Sequence, residues 1–163
     1  MLFIILLIKS DDVIEIDVSN ILSTTDDYIV ERKTIIIPKN IPYEITGNTN
    51  IYNINVSCSC KITLNSLIIS SPIYPAILIE ENKEVNLILK GKSKLSDTKS
   101  NQYEGVIYLN EESKLIISGE DLLTIKPNKR MAINGAESTS LIVESGEITL
   151  FSYFKHVFCN YLF

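Results

Sequence analysis

The sequence predicts an all-β protein, a parallel β-helix (solenoid) of about four coils with three short strands per coil. Three observations predict it. The chain has 163 residues with 28 Ile but only 3 Ala, at Ala76, Ala132 and Ala136. Ala is the best helix former and β-branched Ile packs well on a pleated surface, so a helical bundle is disfavoured. Apolar-alternating runs of about four to seven residues, the usual strand length, are separated by Ser, Asn, Gly and Lys, and none sustains the i, i+3, i+4, i+7 period of a helix. Finally, the runs recur in a fixed order.

Residues 1–10 open with an apolar run, Leu2 to Ile8, followed by Lys9 and Ser10. It is far too short to span a bilayer and sits at the lower limit for a signal-peptide core. It reads as a short signal peptide; the competing reading is an apolar first strand that caps the fold. Residues 11–57 read as N-terminal strands or a cap, with candidate strands at Thr34–Ile37 and Asn50–Val56.

Residues 58–150 carry the repeats. Lys61-Ile62-Thr63-Leu64 matches Asn86-Leu87-Ile88-Leu89 at an offset of 25. The run Asn86 to Gly91 matches Lys114 to Gly119 at 28, and Lys114-Leu115-Ile116-Ile117 matches Ser140-Leu141-Ile142-Val143 at 26. A second series runs Ala76-Ile77-Leu78-Ile79, Val106-Ile107-Tyr108-Leu109, Ala132-Ile133-Asn134. A third runs Ser93-Lys94-Leu95, Leu122 to Ile125, Glu147 to Leu150. Three strands per unit of roughly 25 to 29 residues is the spacing of a coil that turns three corners. Ile62, Ile77, Ile107, Ile116, Ile133 and Ile142 are expected to stack as interior ladders. Gly91, Gly119, Gly135 and Gly146 are expected at corners, where positive φ is cheap for Gly. An antiparallel β-sandwich also has short strands and turn signals, but it does not demand a three-strand repeat of near-constant length. Residues 151–163 hold six aromatics, Phe151, Tyr153, Phe154, Phe158, Tyr161 and Phe163. This tail reads as a cap or as the end of a truncated chain.

Composition excludes several functions. The net charge is −5 and the only adjacent basic pairs are Arg32-Lys33 and Lys129-Arg130, so the basic stripe that nucleic-acid binding needs is missing. Cys58 and Cys60 form a Cys-x-Cys pair, and Cys159 and the single His156 are remote in sequence. A structural zinc needs about four ligands, so no metal site is expected. The pair reads as small buried apolar side chains, with a disulfide to Cys159 left open. No Ser-His-Asp or Cys-His arrangement, P-loop or dinucleotide fingerprint is present.

The blocks Ala76–Ile79 with Val85–Asp97, Gly105–Leu109 with Ser113–Ile125, and Ala132–Gly135 with Glu144–Leu150 resemble extracellular right-handed parallel β-helix proteins of the carbohydrate-binding-domain and pectate-lyase-like superfamily type. The resemblance covers about residues 58–150. The resemblance implies a β-helix; with the repeat, the signal-like segment and the lack of a catalytic constellation it leads to the expectation of a non-catalytic secreted or cell-surface module that binds carbohydrate or mediates adhesion, with no cofactor and with a polysaccharide or cell-surface glycan as partner. The alternatives are a truncated fragment of a polysaccharide lyase or glycoside hydrolase, and a structural stalk or scaffold segment.

The candidate ligand-binding residues are Tyr74, Tyr103, Glu80 and Glu111. Tyr74 and Tyr103 precede aligned strands and, with Tyr108, offer aromatic faces of the kind that pack on sugar C–H groups; the competing role is to cover a corner of the core. Glu80-Glu81 and Glu111-Glu112 follow aligned strands and are expected to stack as an acidic ledge, or to serve only as solvated turns. The triplet Asn55-Val56-Ser57 makes Asn55 a glycosylation candidate.

Overall fold

The computed structural model describes residues 13–21, 23–72, 75–98, 105–128 and 131–151. The apolar segment 1–10 and the aromatic tail beyond Phe151 lie outside the described residues. In chain order the strands are β1 (Ile14–Asp17), β2 (Ile29–Glu31), β3 (Thr34–Ile37), β4 (Tyr43–Thr49), β5 (Asn53–Val56), β6 (Cys60–Ser71), β7 (Ile77–Ile79), β8 (Glu84–Lys90), β9 (Ser93–Asp97), β10 (Gly105–Leu109), β11 (Lys114–Gly119), β12 (Leu122–Lys126), β13 (Met131–Gly135), β14 (Ser140–Val143) and β15 (Glu147–Leu150). No helix occurs among the described residues. Every strand pairing is parallel except β2 with β3. An antiparallel sandwich is thereby excluded, and the molecule is a parallel β-solenoid.

The strands fall on three faces. The first face stacks β3, β5, β7, β10 and β13. The second stacks β1, β4, the start of β6, β8, β11 and β14. The third stacks the ends of β4 and β6, then β9, β12 and β15. β6 serves two faces: residues Cys60 to Asn65 pair with β8, and Ile68 to Ser71 pair with β9. The two runs read separately as Lys61–Leu64 and Leu67–Ser70 are therefore one strand bent at a corner. Gly47 (φ 95°), Ser66 (φ 54°) and Gly91 (φ 65°) make that corner in three successive turns.

Alternate residues point inward and stack in register. On the first face Ile35, Ile54, Ile77, Ile107 and Ile133 form one ladder, each no more than 2% exposed. On the second, Tyr43, Ile62, Leu87 and Ile117 do the same. On the third, Ile69, Leu95 and Ile125 are all at 0% exposure. Burying one such side chain stabilises by about 1.5–3 kcal/mol, so each turn's packing against the next supplies most of the driving force. This is where the Ile excess goes.

The register corrects four expectations. Ile116 and Ile142 pair with each other but point outward, and Ile142 is 41% exposed. Their inward neighbours are Leu115 with Leu141 and Ile117 with Val143. The offset between β8 and β11 is 30, since Leu87 pairs with Ile117 and Leu89 with Gly119. A slip of two residues keeps every side chain on its own face, so the alternation could not separate 28 from 30, and matching Gly91 to Gly119 chose the wrong one. Gly135 lacks a positive φ and ends β13, whereas the corner after the first face is turned by Asn82 (φ 59°), Glu112 (φ 55°) and Ser138 (φ 58°). Lastly, β3 and β4 stack in parallel on β5 and β6, which brings the solenoid to about five turns. The first of these is short: Ile35 and its partner Ile54 are 19 residues apart, below the 25 to 29 expected, and the β4–β6 register shifts where Gly47 alone stands opposite Ser66 and Leu67.

Candidate functional site

The first face carries the candidate site on its outside. Between the inward Ile positions, Ile36, Asn55, Leu78, Tyr108 and Asn134 pair in register from β3 to β13 and form one outward column. Adjacent parallel strands lie about 4.8 Å apart, so successive rungs present side chains at that spacing. The column mixes an aromatic ring, two amides and two apolar rungs. Tyr108 and Asn134 are half-buried and Leu78 is 8% exposed.

Glu80 stands at the edge of this column. Its N–H donates to the Val56 carbonyl at 3.0 Å, which fixes the residue one step past β7. Its Oε1 accepts a hydrogen bond from Asn55 Nδ2 at 2.8 Å. The Asn55 amide is thereby oriented, and its Oδ1 is buried with no partner. A buried acceptor left unbonded costs about 1–3 kcal/mol.

The sequence-predicted residues divide. Tyr74 and Tyr103 lie outside the described residues. Glu80 is joined to Asn55, the sequon asparagine, whose side-chain nitrogen is occupied by that bond. Glu80 and Glu111 occupy the same corner of successive turns, but one position apart. Counting on from the paired Ile79 and Leu109, Glu80 stacks with Asn110, and Glu111 stacks with Glu81 and, a turn later, Glu137. The Asn82 N–H donates to the Glu111 carbonyl, and the Glu112 N–H to that of Glu137. These three carboxylates are exposed. The acidic ledge thus consists of Glu81, Glu111 and Glu137, without Glu80.

Below this corner, Ser113 Oγ donates to the Asn110 carbonyl at 2.6 Å and Thr139 Oγ1 to that of Ala136 at 3.0 Å. The same hydroxyl closure in two successive turns holds the backbone of the corner in place.

Sequence reasoning missed a shallow cavity of about 410 Å³ on the second face, lined by Asn40, Ser59, Cys60, Lys61, Glu84 and Asn86. Its residues come from three turns, so only the register reveals it. Further along that face, Asn65 Nδ2 donates to Glu44 Oε1 at 2.6 Å and Lys90 Nζ to the same oxygen at 3.1 Å. These bonds, from Asn65 first and then Lys90, hold the Glu44 carboxyl below the usual carboxylate range. Among the described residues no group of three or more His, Cys, Asp or Glu side chains is placed to hold a metal ion. Nor is any helix there long and apolar enough to cross a membrane.

Fold and surface together define a β-solenoid that presents a register-locked polar and aromatic ladder. A family model described as carbohydrate-binding domain-containing protein matches residues 31–156, a span that takes in all five turns. The chain belongs to this family. No curated protein and no solved structure matches it.

Proposed function

We propose that the chain is a non-catalytic carbohydrate-binding module whose glycan lies across the outside of the first face, over Tyr108. The observation that carries this reading is the outward column Asn55–Leu78–Tyr108–Asn134 with Glu80 at its edge, in a member of a carbohydrate-binding family. A tyrosine ring packs on the C–H face of a sugar. Asparagine amides donate and accept, and a carboxylate accepts, from sugar hydroxyls. Tyr74 and Tyr103 extend the aromatic part of the reading, and Glu111 stays a solvated turn.

We extend the reading to a secreted or cell-surface location and a role in surface adhesion. The apolar segment Leu2–Ile8 supports it. Loss of residues 1–10 from protein recovered in culture medium, read by intact mass, is the expected mark of export; retention of an unprocessed chain inside the cell contradicts it.

The test of binding is a glycan array probed with the full chain, followed by calorimetry on the best ligand. Tyr108→Ala and Glu80→Gln are each expected to weaken Kd by about tenfold, which is about 1.4 kcal/mol. Lys61→Ala with Asn86→Ala, on the second face, leaves it unchanged. Binding to no glycan, or a loss confined to the Lys61 and Asn86 variants, overturns the assignment.

A further inference from the structure

We propose that the chain's own residues 157–161 dock on β13 as a further parallel strand of the first face, with Cys159 stacked over Ile133. The first observation is uneven burial in the last turn. Among the described residues β13, β14 and β15 are all edge strands. Val143 of β14 is 50% exposed, and Leu141, Ile148 and Leu150 are only partly buried. Ala132 and Ile133 of β13 are instead 0% and 1% exposed, as deeply buried as Val106 and Ile107 one turn earlier. Burial in a stack comes from the neighbouring turns, so the end of the first face is covered while the end of the second is open. An edge strand is also the place where one more strand can pair.

The second observation is reach. The Phe151 N–H donates to the Ile125 carbonyl at 3.0 Å, which carries the chain in register to the end of the third face. The three earlier passages from the third face to the first use five, seven and four residues, namely 72–76, 98–104 and 127–130. Six residues, 151–156, separate β15 from position 157, which falls inside that range. The segment is tethered this close to β13, so docking is intramolecular and outcompetes pairing with a second copy in dilute solution.

The third observation is the residue pattern, and it sets the register. Each of the last three first-face strands carries two buried apolar residues and then an outward one: Ala76-Ile77-Leu78, Val106-Ile107-Tyr108 and Ala132-Ile133-Asn134. Phe158-Cys159-Asn160 repeats the pattern. The offset from Ile107 to Ile133, and from Lys114 to Ser140, is 26 residues. The same step of 26 from Ile133 reaches Cys159. Asn160 then stands beside Asn134 and adds a rung to the outward column. A single strand closes the first face alone, so β14 and β15 stay outermost and the stack still frays from this end.

The test uses the full chain and reads each cysteine by its tryptic peptide. Cys159 falls in 156–163, position 133 in 131–155, and Cys58 and Cys60 in 40–61. Alkylation of Cys159 is expected to be slower by about tenfold or more in the native protein than in urea, because a buried thiol is inert. Phe158→Asp, which puts a charge where an apolar side chain docks, is expected to bring the native rate up to the unfolded one. Register is read by copper-phenanthroline oxidation in dilute solution. In-register residues on adjacent strands lie about 4.8 Å apart, inside the Cα separation that a disulfide bridges. Ile133→Cys is expected to join 131–155 to 156–163 within one chain. Asn134→Cys, whose side chain faces the other way, is expected to do so more slowly by about tenfold or more. Equal alkylation of Cys159 in native and unfolded protein, protection with no crosslink from position 133, or equal crosslinking from 133 and 134 overturns the proposal. So does a disulfide between two copies, or one from Cys159 to Cys58 or Cys60.

Discussion

The first and last turns of the solenoid are built from the same residue types and end in different states. At the β1–β4 end, Ile16, Val18, Ile35, Ile37, Tyr43 and Ile45 are all at most 2% exposed. Here β1 pairs with β4, and β2 folds back antiparallel on β3. In addition, Tyr43 Oη donates to the Asp27 carbonyl at 2.9 Å, which satisfies the one polar atom of that buried side chain. At the other end, β13, β14 and β15 are the edge strands of their sheets among the described residues. Val143 continues the Ile62–Leu87–Ile117 ladder yet is 50% exposed, and Leu141, Ile148 and Leu150 are only partly buried. Burial in a stack is a property of the neighbouring turn rather than of the residue, as expected when each repeat contacts only the repeats beside it.

The widest test of this contrast is a pair of identical truncations. Ile107→Ala empties an interior rung of a five-residue ladder and is expected to cost about 2–5 kcal/mol. Ile142→Ala removes an outward side chain from the last turn and is expected to stay within about 0.5 kcal/mol of the parent. Urea unfolding midpoints read both, and equal losses would break the contrast.

A glycine substitution gives the next largest effect. Gly119 has φ 123°, and a Cβ there would meet the Leu89 backbone of the turn before. Gly119→Ala is expected to destabilise by about 1–3 kcal/mol, read as a lowered thermal midpoint. A neutral result would mean that β8 and β11 are not in the 30-residue register.

The smallest effect is electrostatic. Hydrogen bonds from Asn65 and Lys90 hold the Glu44 carboxyl below its ordinary value of 4.5. A lowered folded value means that the stability Glu44 contributes is fully present above pH 4.5 and is lost as pH falls through the folded value. Glu44→Gln should therefore be less stable than the parent at neutral pH, with the gap closing as pH falls below 4.5. A gap that does not change with pH would mean that the carboxylate's charge plays no part.

The sequence made the solenoid legible because its apolar alternation and its repeat are independent signals that agree. The second series, Ile77 to Ile107 to Ile133, stands in its true register, as does the match of Leu122–Ile125 to Glu147–Leu150. The errors have two physical sources. Alternation has period 2, so it is blind to the two-residue slip between β8 and β11 and, without a register, cannot say which of Ile116 and Ile117 faces inward. Corners are set by backbone conformation more than by residue type: Asn82, Glu112 and Ser138 adopt left-handed φ without being glycine, so a search for Gly passes over them. The first turn escaped notice because it is shorter than the rest and interrupted at Gly47. Of the candidate site, Glu80 and Tyr108 were visible as residue types. The bond from Asn55 to Glu80 joins positions 25 apart, and the cavity around Lys61 and Glu84 draws on three turns, so both exist only once the coils are stacked.

The most direct test of the account is native-state hydrogen exchange followed peptide by peptide. The amides of β5, β7 and β10, flanked by turns on both sides, should be the slowest to exchange. Those of β13, β14 and β15 should exchange faster by about tenfold or more, since local opening there breaks contacts with one turn instead of two. Uniform protection from β3 to β15, or a last turn slower than the middle, would contradict it.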